Sequence, residues 1–231
     1  MENPHVTAVM LTADRQAMTD RAVRCFEAQH YANKSLLILD TGTVRYRLPS
    51  GRHPSISIIH AERGPRETLG ELRNFAIKAA LFAETAIATL DSDDWSYPWR
   101  FTEQVKALIA TEAECVGYHN AMFYDVQNQR AYHWKSNLQP NAILGGSAMY
   151  WRKTWERVRF PHLDVNEDSE WMKEVRIRAI DNPYPSPKMI VTQHGGNTRA
   201  IDFGFQCEHA PDAWKRVPEW DKYCERTVRE A

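Results

Sequence analysis

The chain has 231 residues, 43% of them hydrophobic and 26% charged, with a net charge of -1. That composition excludes a mainly disordered chain, and the near-neutral balance gives no overall electrostatic pull toward nucleic acid or an anionic membrane. The length suits one large domain with a buried core. Cys25, Cys115, Cys207 and Cys224 are scattered without a Cys-x-x-Cys pair, so neither a disulfide framework nor a redox motif is expected. The N-terminus lacks the features of a secretion signal and no apolar run approaches a membrane span, so a cytoplasmic location is expected.

Val6 to Thr12 is nearly continuous in apolar residues, the pattern of a parallel strand covered on both faces. Ala13-Asp14-Arg15 then turns the chain, and Ala22, Val23 and Phe26 recur at helical spacing. Ser35 to Leu39 predicts a second strand, ending at Asp40-Thr41-Gly42-Thr43, where Asp40 suits either ligand contact or an Asx-turn that orders Gly42. The basic stretch from Val44 to Pro54 reads as a surface loop before a third strand, Ser55 to His60. Leu72, Phe75, Ala76, Ala79 and Phe82 predict an amphipathic helix whose early turn carries Gly70 and Arg73. Strand, turn and helix in this alternation point to an α/β sheet.

The next strand, Ala86 to Leu90, runs into Asp91-Ser92-Asp93-Asp94-Trp95. Ligands of open α/β sheets bind at the C-terminal edges of strands, and alternate carboxylates such as Asp91 and Asp93 can face one hard cation, which in turn suits a diphosphate. The same residues fit a solvated turn, or a helix cap before Pro98-Trp99. Pro98, Phe101, Val105, Leu108 and Ile109 form a helical core stripe. Cys115 to Tyr118, Met122 to Val126 and Ala131 to Trp134 are short strands, the last two joined by a hairpin turn at Gln127-Asn128-Gln129.

Gly145-Gly146-Ser147 permits either a close backbone approach to a ligand or a tight turn, and is followed by Ala148-Met149-Tyr150-Trp151-Arg152. Glu167 and Asp168 stand at the start of a helix that runs past Trp171 to Val175, with Asn166 as its cap; the macrodipole stabilises carboxylates there. One of the two also suits a general base. Met189 to Thr192 delivers Gln193-His194-Gly195-Gly196-Asn197, in which a neutral imidazole is a competent metal ligand. Arg199 suits diphosphate neutralisation or simple solvation. By residue type, His194, Cys207, His209 and Cys224 are a rival zinc set, although their spacing fits no compact zinc motif. The tail from Phe203 to Ala231 reads as a helix over the second half or an oligomer contact.

Five of these segments, in order between residue 6 and about residue 198, resemble family 2 glycosyltransferases. They are the opening strand with the strand ending at Asp40, the helix carrying Arg73-Asn74, the Asp-Ser-Asp-Asp-Trp form of the Asp-x-Asp motif, Glu167-Asp168 followed by Trp171, and His194-Gly195-Gly196-Asn197-Thr198. Thr41 departs from the family's second acidic residue. The resemblance implies the GT-A fold, a Rossmann-like mixed central sheet flanked by helices, as one domain over 1–231. About 1–95 would bind the nucleotide-sugar, about 96–200 would bind the acceptor, and about 201–231 would form a C-terminal tail.

It further implies an inverting, metal-dependent transferase that uses Mn²⁺ or Mg²⁺. Thr12, Asp40, Arg73 and Asp91 would contact the donor, with a UDP-sugar favoured. Asp91, Asp93 and His194 would hold the metal, Asp168 would be the catalytic base, and Glu167, Trp171 and Gly146 would face the acceptor. That acceptor would be a saccharide or glycolipid of surface polysaccharide synthesis, placing the protein in the cytoplasm or peripherally at the inner membrane face. The alternatives are a hydroxylated nucleic-acid base as acceptor, a nucleotidyltransferase-like enzyme, and a silent carbohydrate-binding module.

Overall fold

The computed structural model describes residues 3–197, apart from 50, 52, 65, 81–84, 129, 136–141 and 182–187, and then residues 207–209. In chain order the elements are β1 (His5–Thr12), α1 (Gln16–Glu27), β2 (Lys34–Asp40), β3 (Ile56–His60), α2 (Leu69–Ala79), β4 (Thr85–Thr89), β5 (Trp95–Ser96) and α3 (Arg100–Thr111). The second half adds β6 (Cys115–Tyr118), β7 (Asn120–Asp125), β8 (Arg130–Lys135), a 3-10 turn at Gly145–Ser147, β9 (Met149–Trp151), α4 (Arg152–Arg157), α5 (Glu167–Met172), β10 (Ile177–Ile180), β11 (Met189–Gln193) and β12 (Cys207–His209).

Seven strands form the main sheet in the order β10-β6-β9-β4-β1-β2-β3, parallel throughout except for β9, which runs against both neighbours. Side chains alternate between its faces. Val6, Ala8, Met10, Leu36 and Ile38 pack with Phe26 of α1 and Phe101, Val105 and Leu108 of α3. Val9, Leu37 and Leu39 pack on the opposite face with Leu72, Ala76 and Ile77 of α2 and with Tyr150, Trp155, Phe160 and Trp171. Burial of both faces is the physical reason for the near-continuous apolar runs of β1 and β2. A smaller sheet, β12-β8-β7-β11-β5, stands beside the C-terminal edge of β4 and carries the hairpin between β7 and β8.

Several expectations shift. Helix α2 starts earlier than its apolar stripe, because Thr68 and Glu71 form a reciprocal capping box. Its buried stripe is Leu72, Ala76 and Ile77, which leaves Phe75 46% exposed, and on α3 the expected core residue Ile109 is likewise 44% exposed. Phe82 lies outside the described residues. The Val44 to Pro54 loop is not wholly superficial, since Tyr46 is buried and its hydroxyl donates to Asp20 Oδ1 at 2.9 Å. The acidic turn does not cap α3, because β5 intervenes and Trp99 occupies the N-cap position. Asn166 stands at the N-cap of α5 with a left-handed φ of 64° and without a side-chain capping hydrogen bond, and the helix ends at Met172, short of Val175. Of the tail, only β12 is described; it is a strand paired with β8, where a helix was expected.

One contact orients the second acidic segment on the first half of the fold. Gly70 N donates to Leu163 O at 3.0 Å, and a Cβ at Gly70 would stand 1.9 Å from the Pro161 carbonyl oxygen. Gly70→Ala therefore forces the 161–164 loop off α2. The expected cost is about 2 kcal/mol, read as a melting point about 5 °C lower; an unchanged melting curve would refute the packing argument.

Candidate active site

Strand β4 ends where Leu90 N donates to Val9 O and Thr89 N donates to Ala148 O, so the Asp91–Asp94 turn leaves the sheet between β1 and β9. Its three carboxylates then take different directions. Asp94 turns inward: its Oδ1 accepts from Thr192 N of β11 at 3.0 Å, and burial, reinforced by Asp93 and Asp91, pushes its pKa well above the usual carboxylate range. Asp93 accepts from Arg15 Nη1 at 2.9 Å, and its Oδ2 lies 3.0 Å from His194 Nε2. Asp91 is surrounded by protein yet open to the cleft, with 33% of its side chain exposed and Arg73 Nη2 at 3.8 Å from Oδ1. Burial raises its pKa to about 6; Arg73 opposes the rise, while Asp93, Asp168 and Glu167 add to it.

The second acidic segment arrives from the other side. Glu167 is buried and accepts from Arg73 Nε at 2.9 Å, so one guanidinium bridges the two acidic centres. Asp168 Oδ1 accepts from Ser169 N at 2.6 Å and from the Ser169 hydroxyl at 3.3 Å. Its Oδ2 lies over Gly145, where a Cβ would stand 1.7 Å away; at Gly146 a Cβ would stand 2.3 Å from Asp91 Oδ2. Adjacent glycines thus seat one carboxylate from each centre, a proximity that any side chain would block.

These groups border a cleft of about 730 Å³, which Thr12, Arg15, Arg73, Asp91, Asp93, Gly146, Glu167 and Asp168 all line. Its lining holds three guanidinium groups (Arg15, Arg63 and Arg73) and, besides the inward-turned Asp94, five carboxylates (Asp91, Asp93, Asp164, Glu167 and Asp168). Such an excess favours a bound cation. No three His, Cys, Asp or Glu side chains form a ready-made metal cage among the described residues, and Cys224 of the rival zinc set lies outside them.

No protein-family model matches the chain, and no curated protein matches its sequence. Solved structures do match. TarS of S. aureus (residues 1–349) aligns at a TM-score of 0.59 and 12% identity over 81% of this chain and 60% of that one. The same TarS fragment in complex with UDP-GlcNAc aligns at a TM-score of 0.62 and 12% identity, covering 98% of this chain and 71% of that one. This is a GT-A glycosyltransferase fold. The mannosyltransferase PcManGT of Pyrobaculum calidifontis, solved with GDP-Man and Mn²⁺, agrees at a TM-score of 0.59 and 17% identity over 83% of this chain and 57% of that one. The chain therefore spans about three fifths of the length of the first of these glycosyltransferase structures.

Within this GT-A fold, three of the sequence-predicted residues lie off the cleft lining. Asp40 is 2% exposed, and its carboxylate accepts from Gly42 N, Tyr46 N and His60 Nδ1 at 3.0, 2.7 and 2.9 Å. That is the Asx-turn role, extended to the two ends of the 42–46 loop, while Asp14 accepts from Thr43 N and Val44 N between them. Trp171 is a core residue: it stacks on Phe160 at 5.0 Å between centroids, and its indole donates to Val158 O. It presents no platform to an acceptor. His194 stands just behind the lining, against Asp93. Thr12 lines the cleft, but its hydroxyl is 2.7 Å from that of Thr19.

Two residues escaped the sequence reading. Arg15 had a signal, its place in the first turn after β1. Arg100 had none, since a basic residue opening a helix reads as solvated; here it is wholly buried beneath the turn of glycines. No helix of the described residues is long and apolar enough to cross a membrane.

Proposed function

We propose that this GT-A protein is a family 2-type glycosyltransferase that moves a sugar from a nucleoside-diphosphate donor, a UDP-sugar foremost, to an acceptor hydroxyl with inversion at the anomeric carbon. The acceptor class proposed is a saccharide or glycolipid. The observation that carries the reading is the pair of seats at Gly145 and Gly146, which set the Asp168 carboxylate beside the acidic turn that ends β4. In support, TarS has been solved with UDP and with UDP-GlcNAc, and PcManGT with GDP-Man and Mn²⁺.

Mn²⁺ or Mg²⁺ fits the residues present. Asp93 and His194 already converge, the cleft carries surplus carboxylate, and a hard cation shared with a diphosphate needs only one or two protein carboxylates. Asp91, Asp93 and His194 would hold it, and when bound it supplies Lewis-acid neutralisation of the leaving diphosphate. Asp168 takes the proton of the acceptor hydroxyl as that oxygen attacks from the face opposite the departing diphosphate. Arg73 keeps Glu167 and Asp91 in place and adds positive charge on the donor side, a second task besides the donor contact expected of it. Arg15, paired with Asp93, lines the same end of the cleft.

Calorimetric titration of UDP, GDP and other nucleoside diphosphates, with and without Mn²⁺, into wild type and Asp93→Ala tests the donor site. One nucleotide is expected to bind only with metal, and the substitution to weaken it at least about 100-fold, the loss of one charge-assisted metal ligand. Binding of none under any metal condition removes the support for sugar transfer. Metal-independent binding that Asp93→Ala leaves intact removes Asp93 from the metal set.

A further inference from the structure

The floor of the cleft is held by a charge that the proposed chemistry does not use. Arg100, the first residue of α3, is 0% exposed. Its Nη2 donates to Thr89 O at 2.7 Å and to Gly146 O at 3.1 Å, and its Nε donates to Gln104 Oε1 at 3.1 Å. Gln104, also 0% exposed, passes the connection on, its Nε2 donating to Ser147 O at 2.6 Å. The hydrogen bonds of this guanidinium thus run to main-chain carbonyls and a neutral amide. Burying a cation on such partners is costly, and apolar packing would fill the same volume more cheaply. The arrangement therefore calls for an explanation beyond stability.

Thr89 O ends the strand that delivers Asp91, while Gly146 O belongs to the turn that seats Asp91 on one glycine and Asp168 on the other. One guanidinium nitrogen, Nη2, joins the two while Nε of the same planar group is braced by Gln104, a rigid pair of donors that a lysine point charge does not supply. We infer that Arg100, braced by Gln104, is a positioning residue that sets the distance between the metal-side carboxylate Asp91 and the base Asp168 by clamping the Gly145–Ser147 turn to the end of β4. That inference rests on the functional reading above, because the two carboxylates matter together only if one serves the leaving group and the other the incoming hydroxyl. An in-line displacement tolerates little change in that distance; a misplacement of about 1 Å costs on the order of 100-fold in rate.

The test pairs Arg100→Lys with Gln104→Met, each checked for folding by its melting curve, and has a structural and a kinetic arm. In crystal structures without ligand, the 145–147 turn is expected to move away from β4 relative to wild type in both variants. An undisplaced turn overturns the inference whatever the enzyme's substrate proves to be. In solution, UDP affinity with Mn²⁺ is expected to stay within about threefold of wild type. For the nucleotide-sugar that wild type turns over, kcat is expected to fall about 100-fold with donor KM little changed. A lower melting point with kcat retained makes Arg100 an ordinary structural residue and overturns the proposal. Should Arg100→Lys fail to fold, Gln104→Met, which removes no charge, gives the same two readouts alone. Failure of wild type to bind any nucleoside diphosphate counts against the transferase reading and is seen before either variant is made.

Discussion

Asp168→Asn is expected to lower the transfer rate by about 100-fold to 10,000-fold, the range a positioned general base contributes, with nucleotide affinity unchanged. The amide keeps the carboxylate's shape. With its oxygen at the Oδ1 position it still accepts from Ser169 N and the Ser169 hydroxyl, and the amide nitrogen takes the place of Oδ2 over Gly145. Only the capacity to accept the acceptor's proton is lost. The measurement is kcat with the nucleotide-sugar that wild type uses, alongside titration of the corresponding nucleoside diphosphate. A rate within tenfold of wild type would falsify the assignment and turn attention to Glu167, the other carboxylate that α5 brings to the cleft.

Arg73→Met is expected to damage both stability and turnover. Its guanidinium is bonded to Glu167, whose side chain is only 4% exposed, and stands 3.8 Å from Asp91. Removing one member of a buried pair strands the other's charge at a cost of about 3 kcal/mol or more, which for a chain of this size lowers the melting point by about 10 °C. The double variant Arg73→Met/Glu167→Leu separates the two effects. Replacing both partners by apolar groups is close to neutral for stability, so most of the melting point returns while transfer stays impaired. A single variant that melts with wild type would show that the pair contributes little to the fold.

The fold was legible from residue order because its signals are local and repeated. Apolar runs at 6–12 and 35–39 mark strands buried on both faces, and the helical spacing around Leu72 and Ala76 needs only neighbours three and four residues away. The site was half legible. Asp91 and Asp93 stood out because a carboxylate-rich turn at the end of an apolar strand is an unusual local event, Asp168 because adjacent carboxylates open a helix, and all three line the cleft. Asp40 and Trp171 show the limit of such a reading. Both stand in the expected place along the chain, yet the 42–46 loop and His60 surround one with donors and the Phe160 ring packs the other into the core.

What the sequence determined, then, was the set of strands and helices and the positions where acidic groups emerge, since hydrophobic period and turn chemistry act over a few residues. The tertiary structure alone decided which way each group faces. Thr192 N turns Asp94 inward from a separation of 98 residues, and His194 meets Asp93 from 101. Arg73 reaches Glu167 across 94 residues, and Arg100 reaches Gly146 O across 46. A side chain's direction and ionisation depend on such through-space partners, and no periodicity in a single chain encodes them.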